Sequence, residues 1–403
     1  MKELKNYYEL NNDTVIDYLK SKLDYFDDNA DIVSQEIGDG NLNLVFRLID
    51  NNSSKSVIIK QALPYVRAAG ESWPLDIGRG EIESKILKIE YDLTDGLVPE
   101  IYCYDGEMCC MIMEDLKDYV IMRTGVLDLV NYPKFADQIT DFMVKTLLLT
   151  TDVVVEHKEK KEMVKDFINP ELCEITEELV YTEPFGTYER NSMEDFMVDF
   201  HKEQLEGDEE LKLEVAKLKF EFMNNAQSLL HGDLHTGSIF VNQDNTKVID
   251  PEFAFYGPIA YDVGALIANL IMNYLYTKTR EDSDEKVAHE KWLESAIVDC
   301  IDMFADKFLK AFKESATDEM AKVDGFDKWY LNEILVGTAG VTGCEMVRRT
   351  VGFAHVKDLD CIEDDEKRKW AKQTNILMAK ELIKSRSKIV TGKDYLKVIE
   401  KFV

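Results

Sequence analysis

Positive charge is what this chain has least of: 48 lysines and arginines stand against 78 aspartates and glutamates, a formal net charge of −30. That balance excludes the basic surface on which nucleic-acid or anionic-membrane binding depends. Cysteine is scarce too. The seven present form no CxxC pair and no Cys/His ligand spacing, and Cys109 and Cys110 simply sit side by side in a strand-like run. This argues against a disulfide framework or a structural zinc and fits a reducing, cytoplasmic compartment. Long apolar runs are missing: the longest, near Val263, is broken by Asn269 and Asn273 and is too short to span a bilayer. The opening MKELKNYYELNND has no apolar signal-peptide core. No internal repeat, low-complexity tract or Pro/Gly-rich linker stands out.

What is present describes a soluble globular protein. Hydrophobic residues make up 45% and charged residues 31% of 403 positions, enough for two or three compact units with a large core. Residues 13–26 read as an amphipathic helix capped by Asp13. Strand-like segments follow at 33–37, 43–48, 57–61, 102–104 and 108–113, interrupted by one helix at about 79–91. Beyond Glu114 the pattern turns helical, at 134–149, 170–180, 192–206, 211–228, 262–276, 289–314 and 370–385. The charged runs at 156–164 and 280–290 read as solvated faces or loops. A strand-rich first part (1–115) and a larger helical part (116–403) predict an α+β chain of two lobes with a cleft between them.

The most informative segment is HGDLHTGSIFVNQDNTKVIDPEFAFYGPIAYD, residues 231–262. Ser238 to Val241 reads as a strand, 242–246 as turn residues and 247–249 as the return strand. A hairpin returns its ends to one place, so Asp233 is expected to neighbour Asp250 and Glu252. One carboxylate to receive a hydroxyl proton, beside others to hold Mg²⁺, is what phosphoryl transfer from ATP to an alcohol requires. His231 reads as a buttress of the loop, and His235 as structural or as a partner of the chemistry. Asp262, which opens an apolar helical run, reads as an N-cap.

Other groups suit phosphate chemistry, each with a bland alternative. Gly38-Asp39-Gly40-Asn41 joins two strand patterns; it could present backbone N–H groups to phosphates or be a plain hairpin turn. Lys60 ends the apolar strand SVIIK. It could neutralise nucleotide phosphates with Glu83, or failing that Glu81, as its partner, or it could snorkel to solvent. The run MIMEDL (111–116) carries extended backbone able to pair with an adenine edge. GESWPLDIGRG (70–80) reads as a glycine-bracketed loop, either a lid or a tryptophan plug.

In combination these motifs resemble the protein-kinase-like small-molecule kinases, a group with aminoglycoside and choline kinases among its members. IGDGNLNLVFR (37–47), VIIKQALPYVR (57–67), ESWPL (71–75), MEDL (113–116), HGDLHTGS (231–238), DPEFAFYGP (250–258), YDVGA (261–265) and RRTVGFAHVKDLD (348–360) carry the likeness. DPEFAFYGP with the late twin arginines is most similar to the methylthioribose kinases. The resemblance implies a protein-kinase-like fold, a nucleotide-binding N-lobe, and a C-lobe with catalytic loop and substrate site. It implies Asp233 as the catalytic base or hydroxyl-orienting group, and Arg348 and Arg349 near the sugar and the transferring phosphoryl group. Asp250, Glu252 and Ser238 would hold Mg²⁺, Ser238 standing where the wider group has an asparagine. Gly38, Gly40, Asn41, Lys60 and Glu83 would hold the ATP phosphates, and Met113, Glu114, Asp115 and Leu116 would form the adenine hinge. The implied reaction is ATP-dependent phosphorylation of the anomeric hydroxyl of 5-methylthioribose in methionine salvage, by a cytoplasmic homodimer. Two other readings stay open at this point: a kinase for an amino sugar, choline or homoserine, and a nucleotide-binding scaffold without catalysis.

Overall fold

The computed structural model describes residues 6–37, 42–66 and 70–403. The chain divides into two compact units, Met1–Tyr119 with Lys247–Ala254, and Val120–Thr246 with Phe255–Val403. A single cut at 115/116 therefore misplaces one short piece: the hairpin's return and the acidic pair after it belong to the first unit.

The first unit is built on five antiparallel strands. In chain order its elements are α1 (Val15–Lys22), β1 (Ile32–Glu36), β2 (Asn43–Asp50), β3 (Ser56–Ala62), β4 (Tyr65–Val66), β5 (Gly70–Pro74), α2 (Arg79–Thr94), β6 (Ile101–Asp105) and β7 (Cys110–Glu114). The main sheet runs β1-β2-β3-β7-β6. β3 is buried along its whole length, which is why its sequence is an unbroken apolar run carrying one lysine. Strand alternation sends Val57 and Ile59 to one face, where they pack with Phe46, Leu48 and the Val15–Tyr18–Leu19 stripe of α1. Each such side chain contributes about 1.5–3 kcal/mol by leaving water. Lys60 points to the opposite face. The head of α1 differs from expectation: Asn11 Oδ1, not Asp13, accepts the N–H groups of Asp13 and Thr14 at 2.9 and 3.0 Å. The 70–80 segment also differs, because β5 is a strand paired with β4.

The second unit is mainly helical. Its elements are β8 (Val120–Ile121), α3 (Met122–Leu127), α4 (Phe135–Leu149), α5 (His157–Asp166), α6 (Pro170–Leu179), α7 (Asp195–His201), α8 (Glu209–Asn224), β9 (Ser228–Leu230) and β10 (Ile239–Val241). After the turn strand β11 (Thr246–Val248) come β12 (Phe255–Gly257), α9 (Ala260–Thr279), α10 (Asp284–Ser315), α11 (Phe326–Val351), α12 (Lys357–Asp360), α13 (Asp365–Lys384) and α14 (Gly392–Phe402). α11 is the axis of this unit, lying along α9 and α13. Periodicity does not predict it, because Gly337, Gly340 and Gly343 interrupt its sequence and each weakens an isolated helix. The structure gives the glycines a use. A Cβ at Gly343 would lie 2.5 Å from the Ala379 carbonyl of α13, and one at Gly337 would lie 2.7 Å from Ala260 Cβ of α9. Small residues let these helices approach, and tertiary packing outweighs propensity. Among the described residues no helix is long and apolar enough to cross a membrane.

Candidate active site

The loop 231–238 is suspended between two strands. β9 pairs antiparallel with β12 and β10 pairs with β8, so both ends are fixed. Gly232 has φ +82°, a left-handed conformation that glycine adopts without strain. Asp262 holds this turn from α9: its Oδ2 accepts the His231 N–H at 2.7 Å and its Oδ1 the Gly232 N–H at 3.0 Å. Its expected role as a helix cap is therefore corrected, for it caps the loop instead. Burial raises its pKa, and the neighbouring His231 opposes the rise. Within the loop, His231 Nδ1 accepts the Asp233 N–H at 3.2 Å. The Ser238 hydroxyl donates to the loop carbonyls of Asp233 and His235, both 2.9 Å away, and accepts the His235 N–H at 3.0 Å. That oxygen closes the loop.

These restraints aim Asp233 at three groups, two guanidiniums and an imidazole. Arg349 Nη2 donates to Asp233 Oδ1 at 3.4 Å, and Arg348 Nη1 lies 3.9 Å from the same oxygen. His235 Nε2 lies 3.3 Å from Asp233 Oδ2. Its Nδ1 accepts the N–H groups of Gly237 and Ser238 at 3.0 and 3.1 Å, which leaves the ring proton on Nε2, facing the carboxylate. Burial depresses His235, with Arg123 and Arg349 adding to it against the pull of Asp233. Burial would raise Asp233, but His235 and the two arginines outweigh it and hold this carboxyl well below the usual range.

Adjacent residues on a helix point about 100° apart, yet Arg348 and Arg349 reach one carboxylate. Glu345, one turn earlier on α11, brackets them: its Oε2 accepts from Arg348 Nη1 at 3.1 Å and its Oε1 from Arg349 Nε at 2.5 Å. Glu345 is buried, and burial alone would raise its pKa. Arg349 and Arg348 outweigh that and lower it. Two acids and two guanidiniums thus form a charge-balanced cluster in the second unit.

The first unit holds a separate cluster. Lys60 Nζ donates to Glu83 Oε1 at 2.7 Å and also to Asp250 Oδ1. Asp250 is half-exposed and has φ +73°, a region that aspartate tolerates better than most residues. Glu252, almost fully buried, accepts from Arg79 Nε at 3.1 Å and Asn43 Nδ2 at 3.2 Å. Arg79 spends its other donors on the carbonyls of Leu63, Asp76 and Leu42 and on Asn43 Oδ1. Burial, then the neighbouring acids, raise Glu83 to about 7 against the pull of Lys60. Glu252 is raised in the same way, against Lys60 and Arg79. Three carboxylates facing two cations leave this cluster short of positive charge.

That shortage, together with hard oxygen donors, suits Mg²⁺. Among the described residues no group of three His, Cys, Asp or Glu side chains could hold a metal alone. The fit is therefore to a cation shared with phosphate oxygens, as Mg²⁺ commonly is.

A family model described as the phosphotransferase enzyme family matches residues 178–291. A methylthioribose kinase of Bacillus cereus is 43% identical over 382 residues, covering 95% of this chain and 94% of that protein. This chain belongs to the methylthioribose kinase family. A Geobacillus methylthioribose kinase is 40% identical over 378 residues, 93% of this chain and 92% of that one. Among solved structures, a choline kinase from Cryptosporidium parvum covers 97% of this chain and 96% of that chain at 11% identity, with a TM-score of 0.48. The antiparallel sheet of the first unit and the mainly helical second unit give the α+β class expected of the sequence.

Set against the expected site residues of the family, Asp233, Arg348 and Arg349 come together in the second unit, with Ser238 in the same loop. Lys60, Glu83, Asp250 and Glu252 come together in the first. In the expected hinge, Met113 and Glu114 lie in β7 and pair with Ile58 and Val57 of β3. Glu114 also bonds Lys247 at 2.7 Å, Asp115 is buried against Arg47 at 2.9 Å, and Leu116 is buried. Gly38, Gly40 and Asn41 lie outside the described residues. Arg79 and Glu345 escaped the sequence reading: the carboxylate partner of Arg79 lies 173 residues away, and Glu345 sits in a helix that periodicity does not show. An E-x-x-R-R spacing on one helix could have signalled Glu345; nothing local signals Arg79.

Proposed function

We propose that the protein transfers the γ-phosphoryl group of ATP to the anomeric hydroxyl of 5-methylthioribose, giving 5-methylthioribose 1-phosphate for methionine salvage. Its relatives of 40–43% identity carry the name of that kinase. The observation that supports this reading most directly is the surroundings of Asp233. Two guanidiniums already neutralise it, so an ammonium-bearing acceptor such as an amino sugar or choline would find no unpaired negative charge there, whereas a neutral sugar hydroxyl needs none. This argues against the cationic acceptors that the overall acidity of the chain otherwise favours.

In this mechanism the sugar hydroxyl donates a hydrogen bond to Asp233, which orients its oxygen for in-line attack on the γ-phosphorus. The new P–O bond forms as the bond to ADP breaks. A carboxylate with so low a pKa is a weak base, which suits a loose transition state in which the hydroxyl proton leaves late. Arg348 and Arg349 offset charge on the transferring phosphoryl oxygens. On the nucleotide side, Lys60 contacts phosphates and Glu83 orients it. Backbone of 113–116 meets the adenine while the side chains of Glu114 and Asp115 are engaged elsewhere. Asp250 and Glu252 would hold Mg²⁺, while the Ser238 hydroxyl is engaged within its own loop; the ion supplies neutralisation of phosphate charge when bound. Residues 1–119 with 247–254 act as the nucleotide lobe and 120–246 with 255–403 as the acceptor lobe, in a cytoplasmic homodimer.

The test is the product. With Mg-ATP and methylthioribose, phosphorus and proton NMR should show a 1-phosphate, and glucosamine, choline and homoserine should give far less turnover. Preferred phosphorylation of any of those amines would overturn the assignment.

A further inference from the structure

The twin-arginine motif ends in KDLD, and neither the fold nor the mechanism above uses its Asp358. This carboxylate is completely buried. Its Oδ1 accepts from Asn273 Nδ2 at 2.8 Å, and its Oδ2 lies 3.3 Å from Arg123 Nε, paired by charge without a hydrogen bond. Arg123, at the start of α3, grips the 231–238 loop twice. Its backbone N–H donates to the Thr236 carbonyl at 2.9 Å and its Nε to the Thr236 hydroxyl at 3.2 Å. Nη2 donates to Asn269 of α9 at 2.7 Å. Nη1 lies against the loop as well: a Cβ at Gly237 would come within 3.0 Å of it. Thr236 is fully buried, so solvent cannot replace this contact.

We propose that Arg123 is a positioning residue for the phosphoryl-transfer loop, held in place by the charge of Asp358, and that it sets Asp233 through Thr236. Asp233, three residues before Thr236, is then fixed from both sides: Asp262 holds the loop's first turn and Arg123 its last. The guanidinium is suited to this because its planar fork bonds the loop and α9 at once, which an ammonium cannot do. The inference rests on the kinase reading for its assay.

Arg123→Gln alone would strand Asp358 without its counter-charge in the interior and could unfold the chain. The informative variant is Arg123→Gln/Asp358→Asn, which removes both charges together. With the full-length enzyme, it should lose about 10²-fold in kcat, the scale of a slight misplacement of reacting groups, while the KM for ATP stays within about threefold. Thr236→Val in the wild-type background should lower kcat roughly tenfold by removing one gripped hydroxyl. In the double variant the same Thr236→Val change should cost nothing further, because the side-chain grip on that hydroxyl is already gone. A purely structural role would give additive losses or parallel losses of ATP affinity. Additivity, a shared fall in ATP affinity, or kcat within about threefold of wild type in Thr236→Val would overturn the proposal. Wild-type turnover of methylthioribose is the control: were it absent, the functional reading would fall, and the same ratios would be read on the ATPase activity.

Discussion

Glu345→Gln is the sharpest perturbation of the second-unit cluster. The change keeps the size of the side chain and removes its charge, so Arg348 and Arg349 are left with one carboxylate, Asp233, between them. Breaking a buried ion pair by removing one partner typically costs about 3–5 kcal/mol. The lower end applies because Asp233 still faces both guanidiniums and the amide oxygen of glutamine still accepts one hydrogen bond. The second unit has about 280 residues, so its unfolding entropy is roughly 0.6 kcal/mol per kelvin and a loss of about 3 kcal/mol lowers Tm by roughly 5 °C. The pH dependence has a definite sign. The folded-state pKa of Glu345 is lowered, burial being outweighed by Arg349 and Arg348. The stability it supplies is therefore fully present above the ordinary glutamate value of about 4.3 and is lost as pH falls through the depressed one. Differential scanning calorimetry of wild type and Glu345→Gln should show the full gap at pH 7 and a closing gap below about pH 4. Turnover should also fall, since the arginines lose their bracket, while ATP affinity holds. Equal Tm values at pH 7, or a gap that widens on acidification, would refute the reasoning.

Two further outcomes follow from the same structure. Lys60→Met removes the cation that faces Glu83 and Asp250; affinity for Mg-ATP by calorimetry should drop about 10- to 100-fold, the worth of a charge-assisted bond, and unchanged affinity would move Lys60 away from the phosphates. Gly343→Ala places a Cβ 2.5 Å from the Ala379 carbonyl; thermal melting should show a loss of about 1–3 kcal/mol as α11 and α13 are pushed apart, and a wild-type melt would mean that this contact yields freely.

How much of this was legible in the sequence depended on how local the cause is. The strands of the first unit were readable because alternation and β-branched residues are local signals, and β3 announced both its burial and its one lysine. The 231–249 loop and hairpin were readable for the same reason, from turn residues set between apolar strands. α11 was not. Its glycines lower helix propensity, and their purpose appears only once α9 and α13 stand against it. The charged run 156–164 hid α5, since a helix with a mostly solvated face shows little periodicity to read. Asp262 was legible as an acid at a helix start, but its true partners lie 30 and 31 residues earlier. Arg79 could not be read at all, because its carboxylate partner arrives 173 residues later.

The central claim is that Asp233, held ionised by its arginines, handles the acceptor hydroxyl and not the nucleotide. Asp233→Asn keeps the side chain's shape and removes the charge, so paired measurements of kcat with methylthioribose and of Mg-ATP dissociation constant decide it. The account predicts a fall in kcat of about 10³-fold, within the range for loss of a positioned proton acceptor, with ATP binding within about threefold of wild type. Near-normal turnover, or a loss carried by ATP affinity with kcat preserved, would contradict it.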